Sequence, residues 1–453
     1  MPESPSVSQS ASGPGLRPVL GLWATTAMVV GIIIGASIFV QPSEITRQMP
    51  NVTGIVLVWL AAGALTICGA LVCAELTSAF PATGGVYVFL ARTYSPVLGF
   101  LWGWAMFWSM HSGIIAAIAM VLARYVGFFV PMSDMATRGV AAGAIGLLTL
   151  VNYGGVKHGG RVQAFFTAAK LAAIAIIIVA GLVVTPHAAA VQDMTGALAP
   201  IATRPFLLAL VAGLFAYGGW HMVTYAAGET RDAARTIPRA LVIGTLIVTA
   251  CYAGLNTIYL RVLPLDAVRA STRIAADAAD ALFGGGGAGL MAALVILSTF
   301  GAVNGIILAG PRVYFSMAND GLIFKSLGVV HPRFQTPHRA ILLQGVWSAV
   351  LALTNSYGTL VRRVVCTEWI FFAMLAMGLI LLRRRPDYQP SYRVWGYPVV
   401  PILFAAASLV VVAQQVIAEP RESGIGLAMV LVGLPIYFLW SKPGVRKAPS
   451  LER

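Results

Sequence analysis

Two apolar segments of the chain carry glycines at positions where a membrane-length helix would be interrupted. The first reads Gly-Ile-Ile-Ile-Gly-Ala-Ser-Ile-Phe from Gly31 to Phe39, and the second contains Gly218 and Gly219 within Phe-Ala-Tyr-Gly-Gly-Trp-His. Adjacent glycines weaken a helix, and unwound backbone exposes N–H and C=O groups to a ligand. A half-helix N-terminus attracts a carboxylate, while free carbonyl oxygens accept hydrogen bonds from an ammonium group. The two segments therefore predict a site for a small zwitterion.

A structural use of the same small residues is the main alternative. The spacing of Gly31 and Gly35 is also typical of close packing between membrane helices. The second segment favours an interruption, because Gly218 and Gly219 lie in the middle of another apolar run. The two segments hold corresponding positions, first and sixth, in two halves of five helices. Paired glycine-interrupted segments indicate a transporter site built from inverted repeats.

Four ionisable residues inside apolar segments are candidates for function, because charge is expensive there. Lys170 lies six residues after Ala164, where its apolar run begins. That is about 9 Å of helix, so the amine could also reach the interface by snorkelling. For Glu75 a structural hydrogen bond or ion pair is favoured over proton carriage. For His111 one backbone partner is favoured over a proton relay, and for His221 hydrogen-bonded packing over substrate contact.

A charged cluster follows the second glycine segment. We expect it to be a solvated network at the cytoplasmic surface that can also serve as a gate. Its members are Glu229, Arg231, Asp232, Arg235 and Arg239.

The composition places this chemistry in a membrane. The 453 residues are 58% hydrophobic and 10% charged, with a mean hydropathy of +0.83, whereas soluble domains carry about a quarter charged residues. The net charge of +14 would suggest nucleic acid in a soluble protein, but here the basic residues lie between apolar blocks. We expect lipid around the protein and no nucleic-acid partner.

Several classes of function are disfavoured. The cysteines lie in apolar segments without metal-site spacing, so we expect neither disulfides nor zinc. They are Cys68, Cys73, Cys251 and Cys366. The sequence has neither HExxH nor GxSxG, and we predict no enzyme, no cofactor and no metal. A channel would need a continuous polar lining.

Twelve apolar stretches are long enough to be membrane helices, and the protein is predicted to be all-α. They run about 20–42, 52–79, 96–124, 137–153, 162–184, 206–228, 239–262, 287–318, 339–354, 358–382, 398–417 and 424–441. Lysine and arginine concentrate in the short loops of one side, which predicts that both termini are cytoplasmic in a multi-pass cell-membrane protein. Arg362 and Arg363 are exceptions, near the outer end of the tenth span. The connection from Pro264 to Gly287 has helical periodicity and predicts an amphipathic outer helix or lid.

The chain resembles the amino acid-polyamine-organocation superfamily, closest to its L-amino-acid transporter-like branch, over nearly its whole length. The motifs that carry the resemblance are GIIIGASIF (31–39), AELTSAFPATGGVYVFL (74–90), VQAFFTAAKL (162–171), FAYGGW (215–220), ETRDAARTIPRA (229–240), FGAVNG (300–305) and RVWGYPVVP (393–401).

The resemblance implies the leucine-transporter fold, with a 5+5 inverted repeat, discontinuous helices 1 and 6, and alternating access. The expected parts are a disordered cytoplasmic tail (1–18), a ten-helix core (19–382), two accessory helices with their preceding loop (383–441) and a basic cytoplasmic tail (442–453). The implied substrate-binding residues are Ile33, Gly35, Ala36, Ser37, Ile38, Phe215, Ala216 and Gly218. Phe215 would also be an outer gate. Lys170 matches the fifth-helix lysine whose ammonium stands where sodium binds in sodium-coupled relatives.

Two departures from the family pattern matter, and one further difference concerns some animal relatives. Ala36 and Ser37 stand where similar first helices carry Ser and Gly, which removes a hydroxyl and adds a side chain. Ala302 stands where similar eighth helices carry a serine that contacts the lysine, so the partner of Lys170 is left open. The loop 130–138 lacks cysteine, so no disulfide-linked ancillary subunit is expected.

These features predict a sodium-independent exchanger or facilitator of small neutral L-amino acids. A proton-coupled symporter is the nearest mechanistic alternative, because Lys170 could release its proton if burial destabilises the charge. Transport of cationic amino acids or polyamines is the alternative substrate class, disfavoured because neither glycine segment contains a carboxylate. A transporter-like amino acid sensor, which binds without moving its ligand, is the alternative from another class.

Overall fold

The computed structural model describes residue 16 and residues 18–183, 201–284 and 286–440. Eleven helical segments of this part are long and apolar enough to cross a membrane. Its only β-pairing is an isolated bridge between Leu20 and Thr230. The prediction of an all-helical, multi-pass membrane protein is confirmed. The predicted terminal tails, residues 1–18 and 442–453, lie outside the described residues apart from positions 16 and 18.

The α-helices vary in length from 6 to 30 residues. In order they are α1 (Leu22–Ile33), α2 (Gln41–Gln48), α3 (Val52–Ala79), α4 (Val86–Thr93), α5 (Pro96–Ala105), α6 (His111–Val126), α7 (Asp134–Tyr153), α8 (Val156–Val183), α9 (Thr203–Ala216), α10 (Ala233–Val262), α11 (Leu265–Ala270), α12 (Ile274–Phe283), α13 (Gly287–Ala309), α14 (Pro311–Asn319), α15 (His338–Thr354), α16 (Tyr357–Leu382), α17 (Val399–Ala418) and α18 (Pro420–Trp440). A π-helical turn joins α5 to α6, and 3₁₀ segments occupy Ser37–Phe39, Trp220–Glu229 and Lys325–Gly328.

The structure differs from the predicted elements in the length of one span and in the number of helices in one connection. The predicted span 339–354 forms α15, which at 17 residues is shorter than the eleven long segments. The predicted outer helix between Pro264 and Gly287 is found as two helices, α11 and α12, separated by three residues.

Burial separates central helices from peripheral ones. In the segment Leu22–Phe39, 72% of residues are buried, against 22% and 28% in the 18-residue apolar stretches of α7 and α18. α1 packs against α8, α10 and α13, while α3 packs along α10, α6 along α13 and α7 along α15. The peripheral helices expose large apolar side chains such as Leu150 and Leu431, which in a bilayer contact lipid. The first helix, α1, therefore lies at the centre of the bundle.

Candidate functional site

The first helix is interrupted at the predicted glycine. α1 ends at Ile33, a single 3₁₀ turn follows at Ser37–Phe39, and α2 begins at Gln41. Gly35 and its neighbours have no helical assignment. An α-helix that ends inside a protein leaves carbonyl oxygens that need new partners. The interruption therefore creates acceptors in the middle of the bundle.

The sixth predicted span is interrupted in the same way. α9 ends at Ala216, and the 3₁₀ segment begins at Trp220. Gly219 between them has φ 98°, in the left-handed region that favours glycine. A Cβ atom on Gly219 would lie 2.6 Å from Ile32 Cγ2. Glycine is thus required both by the turn and by the close approach of the two interrupted helices.

A cavity lies between the two interruptions. Six of the eight predicted substrate-binding residues line it: Ile33, Gly35, Ala36, Ser37, Phe215 and Gly218. The other two, Ile38 and Ala216, do not line it and are buried. The opposite wall comes from α6 and α16 and is mostly apolar, with Ile114, Ile118, Leu360, Val361, Val364 and Trp369. This arrangement offers backbone polar groups on one side and a close-fitting apolar surface on the other.

Lys170 lies behind the first interruption and is fully buried. Its Nζ donates to the carbonyl oxygens of Gly31 (3.0 Å), Ile34 (2.6 Å) and Ser298 (3.1 Å). An ammonium group has three N–H donors, so all of them are satisfied. The amine does not snorkel to an interface. It instead supplies positive charge at the carboxyl end of α1, where the helix dipole favours a cation.

The serine that accompanies this lysine lies one turn before Ala302. The Ser298 hydroxyl is 3.2 Å from Ile34 O and 3.4 Å from Gly35 O. Ala302 instead faces Gly35, whose added Cβ would lie 3.3 Å from the Ala302 Cβ. The open question of a partner for Lys170 is answered by main-chain carbonyls of α1 and α13.

Sequence reasoning missed Tyr252, which connects the two interruptions. Its hydroxyl lies 3.0 Å from both Ile33 O and Ala216 O, the last residues of α1 and α9. A tyrosine inside an apolar helix carries no charge, so composition gave no signal for it. Only the packing of α10 against both helix ends reveals its role.

Known proteins of similar sequence point to the same family as the motifs. Residues 20–438 match the family described as amino acid permease. This chain belongs to that family. The permease is 32% identical to the serine/threonine exchanger SteT of Bacillus subtilis (strain 168), covering 94% of this chain and 97% of the relative. It is also 32% identical to the human large neutral amino acids transporter small subunit 2, covering 96% and 83%. With the mouse Asc-type amino acid transporter 1 it shares 31% identity, covering 94% and 83%. The family predicted from the motifs is confirmed.

A second residue of the permease that sequence reasoning missed is Glu368, on α16. It is 6% exposed and lines the cavity. Its Oε1 lies 3.5 Å from His221 Nε2. The sequence did contain a signal for this residue, because Glu368 is an acidic residue inside the apolar run 358–382, where charge is expensive. Neither glycine segment carries a carboxylate, but a third helix, α16, brings one to the same cavity.

The two buried histidines differ from expectation. His111 was expected to have one backbone partner and His221 to be hydrogen-bonded. Within the described part of the permease, neither ring nitrogen of either residue makes a hydrogen bond. The two rings instead pack 6.3 Å apart, and both contact the Tyr225 ring.

Glu75 has the structural ion pair that was predicted. Arg383 Nε and Nη2 donate to its two carboxylate oxygens at 2.8 and 2.5 Å. The backbone N–H of Val394 donates to Oε2 at 2.6 Å. Glu75 thus fixes the loop after α16 to α3, and it is not part of the cavity.

The charged cluster after the second interruption is only partly solvated. Arg231, Asp232, Arg235 and Arg239 are exposed as expected. The expectation is wrong for Glu229, which is 1% exposed and forms a bidentate ion pair with Arg312 of α14. The Glu229 backbone oxygen also accepts from the N–H groups of Val19 and Leu20. Tertiary packing overrides the local charge pattern here, because α14 brings a buried cation to the end of the 3₁₀ segment.

Proposed function

We propose that this permease is a sodium-independent carrier of small neutral L-amino acids, working as an exchanger or facilitator by alternating access. The observation that carries the proposal is the position of Lys170. Its ammonium binds the carbonyl oxygens at the end of α1, directly behind the residues that line the cavity. A fixed positive charge at that point removes the need for a metal cation to neutralise the same carbonyls.

The substrate class follows from the cavity. Backbone groups exposed by the two interruptions suit the carboxylate and ammonium of an amino acid. The cavity wall opposite the two interruptions is apolar and lies close to them, with Ile114, Ile118 and Val364. This wall suits a small substrate side chain. One relative is named for serine and threonine, and another is named for large neutral amino acids. Ala36 and Ser37 narrow the first interruption and favour the smaller substrates.

The proposed cycle uses the two interrupted helices as moving parts. Helices that correspond in two five-helix halves pack pairwise, α3 with α10, α6 with α13 and α7 with α15, which supports a twelve-helix arrangement with a 5+5 inverted repeat. In this reading residues 19–382 are the transport core, and 383–441 add two helices. The end that carries Glu229 and Arg312 faces the cytoplasm of a cell-membrane protein with both termini inside. The proposed carrier works without a cofactor, and it works without a disulfide-linked subunit because loop 130–138 contains no cysteine.

The test is transport by the purified protein in liposomes. Uptake of labelled alanine, serine, leucine and arginine is measured with and without internal amino acid, sodium and a pH gradient. Uptake of the small neutral amino acids that depends on internal amino acid and ignores sodium is expected. A strict requirement for a proton gradient would reject exchange, and absence of transport for every amino acid would reject the carrier.

Transport of cationic amino acids is the second candidate, because Glu368 brings a carboxylate to the cavity wall. The apolar side chains around Glu368, such as Trp369 and Phe372, make this candidate weaker, because they offer no further acceptor to a cationic group. Arginine uptake faster than alanine uptake would favour this candidate.

A further inference from the structure

The cavity wall contains one carboxylate, Glu368, which is set in an apolar surface and has behind it a histidine, His221, that does not line the cavity. Glu368 Oε1 lies 3.5 Å from His221 Nε2, and His221 is fully buried. Around the pair, the cavity is lined by Trp220, Trp369 and Phe372. Binding sites of this kind take their specificity from a few polar groups in an apolar lining.

These polar groups lack hydrogen-bond partners in the described part of the protein. In the described residues, Glu368 Oε1 and both ring nitrogens of His221 make no hydrogen bond. Glu368 is 6% exposed and His221 0%. A buried polar group without a partner costs roughly 1–3 kcal/mol. A ligand group that supplies the missing hydrogen bond recovers that cost.

Three basic side chains of the described residues have partners other than Glu368. Arg363 of α16 pairs with Glu422, and Arg383, directly after α16, pairs with Glu75. Lys170 is bound to carbonyl oxygens of α1 and α13. The ionisable group beside Glu368 is His221, whose Nε2 lies 3.5 Å from Glu368 Oε1 without forming a hydrogen bond.

We propose that Glu368 and His221 form a side-chain subsite that selects amino acids carrying a hydroxyl group, such as threonine and serine, over their apolar isosteres. The substrate hydroxyl donates to the Glu368 carboxylate, while the main-chain groups of the substrate stay at the helix interruptions. The subsite rests on the proposed function, since it acts on the substrate of that carrier. A small neutral donor fits this subsite, because the cavity wall around Glu368 is otherwise apolar, with Trp369 and Phe372.

Two pairs of substrates isolate this contact. Threonine and valine have nearly the same shape and differ by a hydroxyl in place of a methyl group, and serine differs from alanine by one hydroxyl. Half-saturating concentrations are measured for each in liposomes that contain the full chain. A hydrogen bond to a charged group corresponds to a preference of about 10- to 150-fold for threonine over valine.

The variants Glu368→Met and Glu368→Gln test the acceptor. Glu368→Met removes it at similar length, and the threonine preference should fall to about one. Glu368→Gln keeps an uncharged acceptor, and an intermediate preference of about threefold is expected. Asp134→Asn removes an exposed carboxylate at the start of α7 and should leave the preference as in the native protein.

The outcomes separate this subsite from the carrier function. Native protein that transports no amino acid contradicts the proposed function. Native protein that transports threonine and valine equally well overturns the subsite alone, even if the variants do not fold. A preference that survives in Glu368→Met, or arginine as the best substrate, also overturns it.

Discussion

Glu229 and Arg312 form a buried bidentate ion pair, with Nε–Oε2 and Nη2–Oε1 distances of 2.7 and 3.1 Å. The pair joins the end of the 3₁₀ segment Trp220–Glu229 to α14. Through its backbone oxygen, Glu229 also holds Val19 and Leu20, just before α1. One residue therefore ties together both interrupted helices and the helix after α13, which closes this end of the bundle.

Removal of one partner from this pair should be strongly destabilising. Arg312→Met leaves the Glu229 carboxylate buried without its cation, and breaking a buried pair in this way costs about 3–5 kcal/mol. We expect a lower melting temperature in detergent and a large loss of transport.

The exposed pair Arg235–Asp232 provides the control. Its atoms are 3.9 Å apart and the side chains are 73% and 61% exposed. Arg235→Met should therefore change stability by less than about 1 kcal/mol. Equal effects of Arg312→Met and Arg235→Met on melting temperature would show that the buried pair has no special role.

Lys170→Met should abolish most transport while keeping side-chain volume. The substitution removes three donors and leaves the carbonyl oxygens of Gly31, Ile34 and Ser298 without them. Loss of one hydrogen bond to a charged group costs about 1.5–3 kcal/mol, so a decrease of at least about tenfold in the initial uptake rate is expected. Lys325→Met, at an exposed lysine, is the matched control. Uptake by Lys170→Met within twofold of native would contradict the role assigned to the ammonium.

Tyr252→Phe tests the link between the two interruptions. The substitution removes only the hydroxyl that lies 3.0 Å from Ile33 O and Ala216 O. Because the two buried carbonyl oxygens lose the single hydroxyl hydrogen that they share, we expect the free energy of unfolding to fall by about 1–3 kcal/mol, or the uptake rate to fall by the corresponding factor.

The same helix offers a matched variant for Tyr252. Tyr259 on α10 is buried, and its hydroxyl makes no hydrogen bond within the described residues. Tyr259→Phe should therefore leave melting temperature and uptake unchanged or slightly improved. If the two variants behave alike, the hydroxyl of Tyr252 does not organise the site.

Gly219→Ala should disturb the second interruption. Alanine at φ 98° is strained by about 1–3 kcal/mol, and its Cβ would also lie 2.6 Å from Ile32 Cγ2. Lower thermal stability and slower uptake are expected. Gly143→Ala on α7, where an added Cβ meets nothing within 4 Å, should be neutral or stabilising. A native-like Gly219→Ala would mean that the turn accepts any residue.

The sequence by itself determined the membrane-spanning class, the family and the two helix interruptions. These features depend on local properties, because apolar runs must span the bilayer and adjacent glycines weaken a helix wherever it packs. The sequence also singled out Lys170 and Glu75, since a charge inside an apolar run must find a partner.

Only the tertiary structure decided which partners those groups have. Lys170 binds carbonyl oxygens of α1 and α13, Arg312 buries Glu229, and α16 carries Glu368 to His221. Each of these contacts joins helices far apart in the chain, so no local pattern specifies it. The sequence shows that a buried charge is costly. The packing of distant helices decides which group pairs with that charge and which side chain faces the cavity.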